Sequence, residues 1–266
     1  MIVYSAFVPH SPLLLPTIGK GQLNQLQKTL KAFEEITTDL YFEFPDVFVM
    51  IGAHRVRYEN AFSVNIATEY SVDLKEFGDL SRSRSFYPCL PLADALQRYV
   101  RKHEFGFTQD SQPELDYGIG VPLLKLTSRS VKTPLLMPIS YPENLSTKDL
   151  VTFGHYLHEV LTDSTFRIAV IASGDLSHAL TSGSPAGYQP EGERFDAAMI
   201  QAIEQFSLSQ LLSIPSETTS KAAQCGRHPL IVLFATLERM NLQAQLHSYE
   251  APFGVGYAVA SFSHTA

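Results

Sequence analysis

The sequence predicts an α/β fold: a three-layer αβα arrangement with a mainly parallel central sheet, formed by residues 1–266 as a single domain. Two features predict it. Strand-length apolar runs alternate with stretches of helical periodicity, the pattern of parallel crossover units. Three of those runs also leave through a loop carrying a histidine (His10, His54 or His178), as expected where strands end at one sheet edge. The composition agrees. The 266 residues, 45% hydrophobic and 18% charged, suffice for a large core, and no repeat or linker divides them.

The first run, Ile2 to Val8, reads as a buried strand. It stops at Pro9-His10-Ser11-Pro12, because proline cannot donate to a ladder and turns the preceding residue away from helix. Gly21 to Phe44 places Leu23, Leu26, Leu30, Phe33 and Ile36 at spacings of three and four, a helix that Pro45 ends. Val47 to Gly52 is the next buried strand, leaving through Ala53-His54. Strand, helix and strand together imply a right-handed parallel crossover. Ala61 to Thr68 reads as a strand, Ser81 to Ser85 as a polar loop, and Pro91 opens a helix to Lys102. Asp116 to Val121 is a glycine-rich turn, after which Pro122 opens a short helix. Leu135 to Ser140 is a strand, and Ser146 caps a helix through Leu161. Phe166 to Ser173 is a strand that leaves through Gly174-Asp175-Leu176-Ser177-His178. Helices follow at Glu193 to Phe206 and Leu208 to Ile214. Ser220 to Met240 predicts one longer helix, begun or kinked at Pro229. Leu242 to Tyr249 is a strand ending at Glu250, and Val255 to Phe262 closes the chain.

No apolar run approaches the roughly 20 residues of a membrane span. The N-terminus lacks a basic region and a cleavage site, so no signal peptide is expected. Two cysteines, Cys89 and Cys225, give no disulfide framework, and a cytoplasmic location is the expectation. The net charge of −7 with no lysine–arginine cluster argues against nucleic acid as a partner. Homo-oligomerisation is left open.

Four strand ends therefore deliver His10, His54, His178 and Glu250 toward one edge. Two imidazoles and a carboxylate suit non-haem Fe(II), leaving open positions for O2 and a bidentate substrate; Zn(II) accepts the same ligands. A histidine off the metal can move protons near neutral pH, which is the reading for His178. The plainer alternatives stay open. His10 and His54 are equally readable as turn histidines bonded to backbone, and Glu250 as a surface carboxylate. Asp175 either orients His178 or caps its loop. His155, His158, His103, His247 and His264 read as solvated, with His247 on the opposite sheet face from Glu250. Cys225 sits where a thiol pKa can be lowered but reads better as a buried structural cysteine. Arg227 and His228 read equally as contacts for an acidic group or as helix surface.

Seven segments together resemble the class III extradiol ring-cleavage dioxygenases, nearest a branch related to Memo proteins. They are VPHSPLLLP (Val8–Pro16), VFVMIGAHR (Val47–Arg55), LDYGIGVPLL (Leu115–Leu124), ASGDLSHAL (Ala172–Leu180), GYQPEGERFD (Gly187–Asp196), AAQCGRHPL (Ala222–Leu230) and SYEAPFGVGYAVASF (Ser248–Phe262). The resemblance implies that His10, His54 and Glu250 bind Fe(II) and that His178 is the catalytic acid/base. Where that family commonly carries Asp-His-Gly, this chain has Asp116-Tyr117-Gly118. Tyr117 can donate a hydrogen bond there, but a reference pKa near 10 makes it a poorer proton shuttle. Asp116 and Asp175 fall beside the substrate or behind the ligands. The implied activity is extradiol opening of a catechol-like aromatic with O2. The alternatives are a Memo-like metal- or partner-binding protein without ring cleavage, favoured by Tyr117, and a zinc hydrolase.

Overall fold

The computed structural model describes every residue except 53, 55–57, 82–83, 143–145 and 265–266. The strands are β1 (Ile2–Val8), β2 (Val47–Ile51), β3 (Phe62–Asn65), β4 (Ser71–Val72), β5 (Tyr87–Pro88), β6 (Phe107–Asp110), β7 (Glu114–Leu115), β8 (Leu135–Ser140), β9 (Ile168–Ser173), β10 (Leu242–Glu250) and β11 (Tyr257–His264). The helices are α1 (Pro16–Gly19), α2 (Gln27–Glu43), α3 (Leu90–Lys102), α4 (Tyr117–Leu126), α5 (Thr147–Asp163), α6 (Pro190–Glu204), α7 (Leu208–Ser213), α8 (Ser216–Lys221) and α9 (Arg227–Leu237).

Among the described residues, nine strands form one sheet in the order β10-β11-β1-β9-β2-β8-β3-β6, with β5 added to β8. The centre is parallel: β9 pairs with β1 on one side and β2 on the other, and β2 pairs with β8. Antiparallel pairs enter at β1/β11, β10/β11 and β3/β8. Alternation along the strands feeds two cores. Val47, Val49 and Ile51 of β2 pack with α3, α5, α6 and α9, whereas Phe48 and Met50 face α2 and α4. This is the expected three-layer arrangement. No described helix is long and apolar enough to cross a membrane.

The central register positions the site. Val8 of β1 lies opposite Ser173 of β9, and Ile51 of β2 lies opposite Ala172. Three parallel strands therefore stop at the same level, and their three exit loops leave one edge together. The histidine-bearing strands β1 and β2 are not adjacent. They flank β9, whose own exit loop carries Asp175 and His178.

Three local expectations are corrected. Pro122 does not open a helix but lies inside α4, which starts at Tyr117 because Asp116 caps it: the Asp116 carboxylate accepts the Gly118 amide at 2.8 Å. The predicted helix from Ser220 to Met240 is broken into α8 and α9 by a turn in which Ala223 takes φ 50°. Pro229 then falls in the first turn of α9, where no amide hydrogen is needed. The strict alternation expected for β10 fails at a register shift between Leu246 and Ser248. His247 and Glu250 consequently both reach α2, one bonding Glu35 and the other Thr29. The side chain of His247 is buried, bonded also to Ser261, so it is not solvated as expected. The Ser81–Ser85 loop lies partly outside the described residues.

The contact with Thr29 explains why α2 holds without a cap of its own. Its N-cap position, Leu26, offers no side-chain acceptor. Glu250 Oε1 accepts both the Thr29 amide, at 2.8 Å, and the Thr29 hydroxyl, at 2.6 Å. A carboxylate from another element thus takes a first-turn amide and sits at the positive end of the helix dipole. Glu250→Ala is expected to lower stability by about 1–2 kcal/mol, the usual cost of losing a cap, read from the urea midpoint at unchanged m-value.

Candidate metal centre

The exit loops of β1, β2 and β9 meet the α8–α9 turn at the wall of a cavity of about 570 Å³. His10 is 2% exposed, with its amide bonded to Asp175 Oδ1 at 3.0 Å. His10 Nε2 lies 3.2 Å from His54 Nε2 and 3.3 Å from Cys225 Sγ. The donor atoms of His10, His54 and Cys225 all fall within 4.8 Å of one another. Two nitrogens about 2.0–2.1 Å from a common tetrahedral ion stand roughly 3.3 Å apart, so the imidazole separation fits one shared cation. Two imidazoles and a thiol are also a donor set that binds transition metals.

The Nε2 face of His10 is set from behind. Pro122 has no amide hydrogen, so the carbonyl of Gly118, four residues earlier, loses its helical donor. The Ser173 hydroxyl donates to that carbonyl instead. Its single proton is thereby spent, and Ser173 Oγ, 3.1 Å from His10 Nδ1, must accept there. Neutral His10 therefore carries its proton on Nδ1, which leaves the Nε2 lone pair facing His54 and Cys225. Gly118 also admits His54: a Cβ there would stand 2.5 Å from the imidazole.

His54 is anchored through its amide, which donates to Asp116 Oδ2 at 2.9 Å, and its ring stacks on Tyr117 at 5.1 Å. Asp116 thus ties the His54 loop to the start of α4. Burial pushes the Tyr117 phenol up to about 12, so it is a neutral donor near pH 7. Asp175 Oδ2 lies 3.9 Å from both His10 Nε2 and His178 Nε2. Burial raises its carboxyl above the ordinary range, with the His178 charge opposing. His178 lines the cavity, and its Nδ1 is buried without a hydrogen-bond partner.

Two placements differ from the sequence expectations. Glu250 is outside the donor cluster; it ends at the same sheet edge but on β10, two strands beyond β1, and is turned to Thr29. Inter-strand spacing alone displaces it by about 10 Å in the sheet. The third member of the cluster is the Cys225 sulfur, expected to be structural. Its backbone is pinned by Asp175, whose carbonyl accepts the amides of Cys225 at 3.3 Å and Gly226 at 2.9 Å, while the Asp175 amide donates to Sγ at 3.2 Å. The available signal was Gly226-Arg227-His228-Pro229 directly after the cysteine, which starts a new helix, α9, there.

Below the His178 loop, the Asp196 carboxylate accepts the Ser177 amide at 2.8 Å and the Tyr249 hydroxyl at 2.7 Å. Gly256 leaves it room, since a Cβ there would lie 2.1 Å from Asp196 Oδ2. Burial raises the Asp196 carboxyl to about 6.

Fold and site together define an α/β protein with a histidine–cysteine cluster at the carboxyl edge of its parallel strands. The chain belongs to the family described as the catalytic LigB subunit of aromatic ring-opening dioxygenase, which matches residues 4–260. A Clostridium acetobutylicum protein, Protein CA_C1420, is 28% identical over 262 residues, 95% of this chain. The chain spans 55% of that protein's length. An uncharacterized Escherichia coli K12 protein, JW3007, shares the fold with a TM-score of 0.66 at 14% identity, over 98% of this chain and 99% of that one.

Ser173→Ala is expected to weaken metal binding by about 10- to 100-fold, the usual effect of losing a ligand's supporting hydrogen bond, measured by competition with a chromophoric chelator. For Asp196, the folded pKa of about 6 exceeds the ordinary 3.8. Its contribution is therefore full below 3.8 and lost as pH rises through about 6. Asp196→Asn is expected to flatten that fall in stability, read by urea titration at a series of pH values.

Proposed function

We propose that this chain is a metal-dependent enzyme that opens a catechol-like aromatic ring with O2, its metal held by His10, His54 and Cys225. The observation that carries the reading is the set of three donor atoms within 4.8 Å on a cavity of about 570 Å³. That volume is in the range of small-ligand sites. Family membership supports the reaction class. Fe(II) is the metal of this reading; when bound, it supplies a Lewis acid for vicinal hydroxyls and a redox partner for O2.

The chain's own groups supply the rest. Phe77, Phe253 and Val255 line the cavity with apolar surface that suits an aromatic ring and excludes water. His178, with one ring nitrogen unpartnered and the other beside Asp175, takes and returns substrate protons. Tyr117 donates a hydrogen bond to a substrate oxygen while remaining neutral. Asp175 holds the backbone of His10 and, through its own backbone, that of Cys225.

A second reading is favoured by Cys225. A thiolate as third donor suits zinc as well as iron, and Tyr117 stands where a proton-shuttling histidine is common in the resembling family. In that reading the chain is a Memo-like metal- or partner-binding protein, or a zinc hydrolase, without ring cleavage.

Metal analysis separates the donor sets. Cys225→Ala is expected to lose the bound metal and Glu250→Ala to retain it; the reverse pattern would restore Glu250 as the ligand. Iron-loaded protein is expected to consume O2 with at least one member of a catechol panel. His178→Ala is expected to keep iron but turn over about 10²- to 10⁴-fold more slowly. No uptake across the panel with iron bound would favour the second reading.

A further inference from the structure

A second cavity, of about 530 Å³, lies across the Ala223–Gln224 wall from the first, and both residues line both cavities. Its character is different. Arg227 and His228 enter it from the first turn of α9, Thr219 and Ser220 from α8, Gln224 from the turn between them, and Thr147 from the start of α5. No carboxylate lines it among the described residues.

Arg227 is the anomalous member. It is only 7% exposed, yet among the described residues its Nε and Nη2 reach the carbonyls of Leu211 and Leu212 alone, at 3.3 and 3.4 Å. A guanidinium has five donors, and these two contacts are long and made to neutral acceptors. Burial lowers its pKa. A buried cation without a counter-charge is costly, so such groups are normally paired. The first residues of α5 (17 residues) and α9 (11 residues) both line the same space. The positive end of the α9 dipole adds to the guanidinium, with the Arg227 amide held by Gln224 Oε1 at 2.8 Å, while the first turn of α5 carries its own carboxylate, Asp149.

We infer that this cavity is a binding site for a small oxyanion, phosphate- or carboxylate-bearing, held by Arg227 with His228 and the α8 hydroxyls. The planar fork of arginine suits two oxygens of one anionic group. The site is separate from the metal cluster and stands whether or not the ring-opening reading holds.

The full metal-loaded chain is titrated calorimetrically with inorganic phosphate and, separately, with succinate, each against chloride at equal ionic strength. Saturable binding of one or both is expected, and which anion binds tighter names the ligand class. Two variants test the location. Arg227→Gln removes the cation. Ser220→Asp places a like charge at an exposed position of α8, so it reports even if Arg227→Gln fails to fold. Each is expected to weaken binding about tenfold or more, the scale of one charge-assisted hydrogen bond. No saturable binding above chloride, or binding unchanged in Ser220→Asp, overturns the inference.

Discussion

The parallel pairing of β1 and β2 to opposite sides of β9 is the constraint on which the rest depends. Because Val8, Ser173 and Ile51 end at nearly one level, the loops carrying His10, Asp175 and His178, and His54 all leave the same edge. Parallel strands need crossovers, and here the crossovers are the helices that bury both faces of the sheet. The site edge is thus a by-product of how the core is closed. A slip of one residue in any of the three strands would turn its side chains to the wrong core and carry its exit loop away from the others.

Behind that edge, the polar groups are arranged by what the backbone leaves unmade. Proline at position 122 deprives one carbonyl of its helical partner, Ser173 takes it, and His10 is left with a defined tautomer. Asp116 likewise serves two backbones, capping α4 and holding the amide of His54. Asp175 joins the β1 exit to the α8–α9 turn. Each buried polar atom fixes the approach of a chain segment rather than a single contact. This is why four separate loops can present side chains to one cavity with little freedom left between them.

The cysteine and the glutamate stand in places other than those expected, for related reasons. Glu250 is at the correct edge, but a bulge in β10 and the uncapped start of α2 give its carboxylate a nearer partner. Cys225 reaches the cluster because the helix expected through it does not form. Ala223 adopts a left-handed conformation and the chain folds back under the Asp175 carbonyl. The same break opens the Ala223–Gln224 wall that both cavities share.

By itself the sequence determined the α/β class, the strands β1, β2, β8 and β9, the histidines at three strand exits, and the family. Those features are local or periodic: apolar runs of strand length, prolines that stop them, and motifs read in order along the chain. Tertiary structure alone decided that β9 stands between the two histidine strands, that Pro122 lies inside a helix, that Cys225 joins His10 and His54, and that Glu250 caps α2. Each of those outcomes turns on a contact between residues far apart in the chain, where competing partners such as a helix amide and a cation are equally good for the side chain. Only the folded distances choose between them.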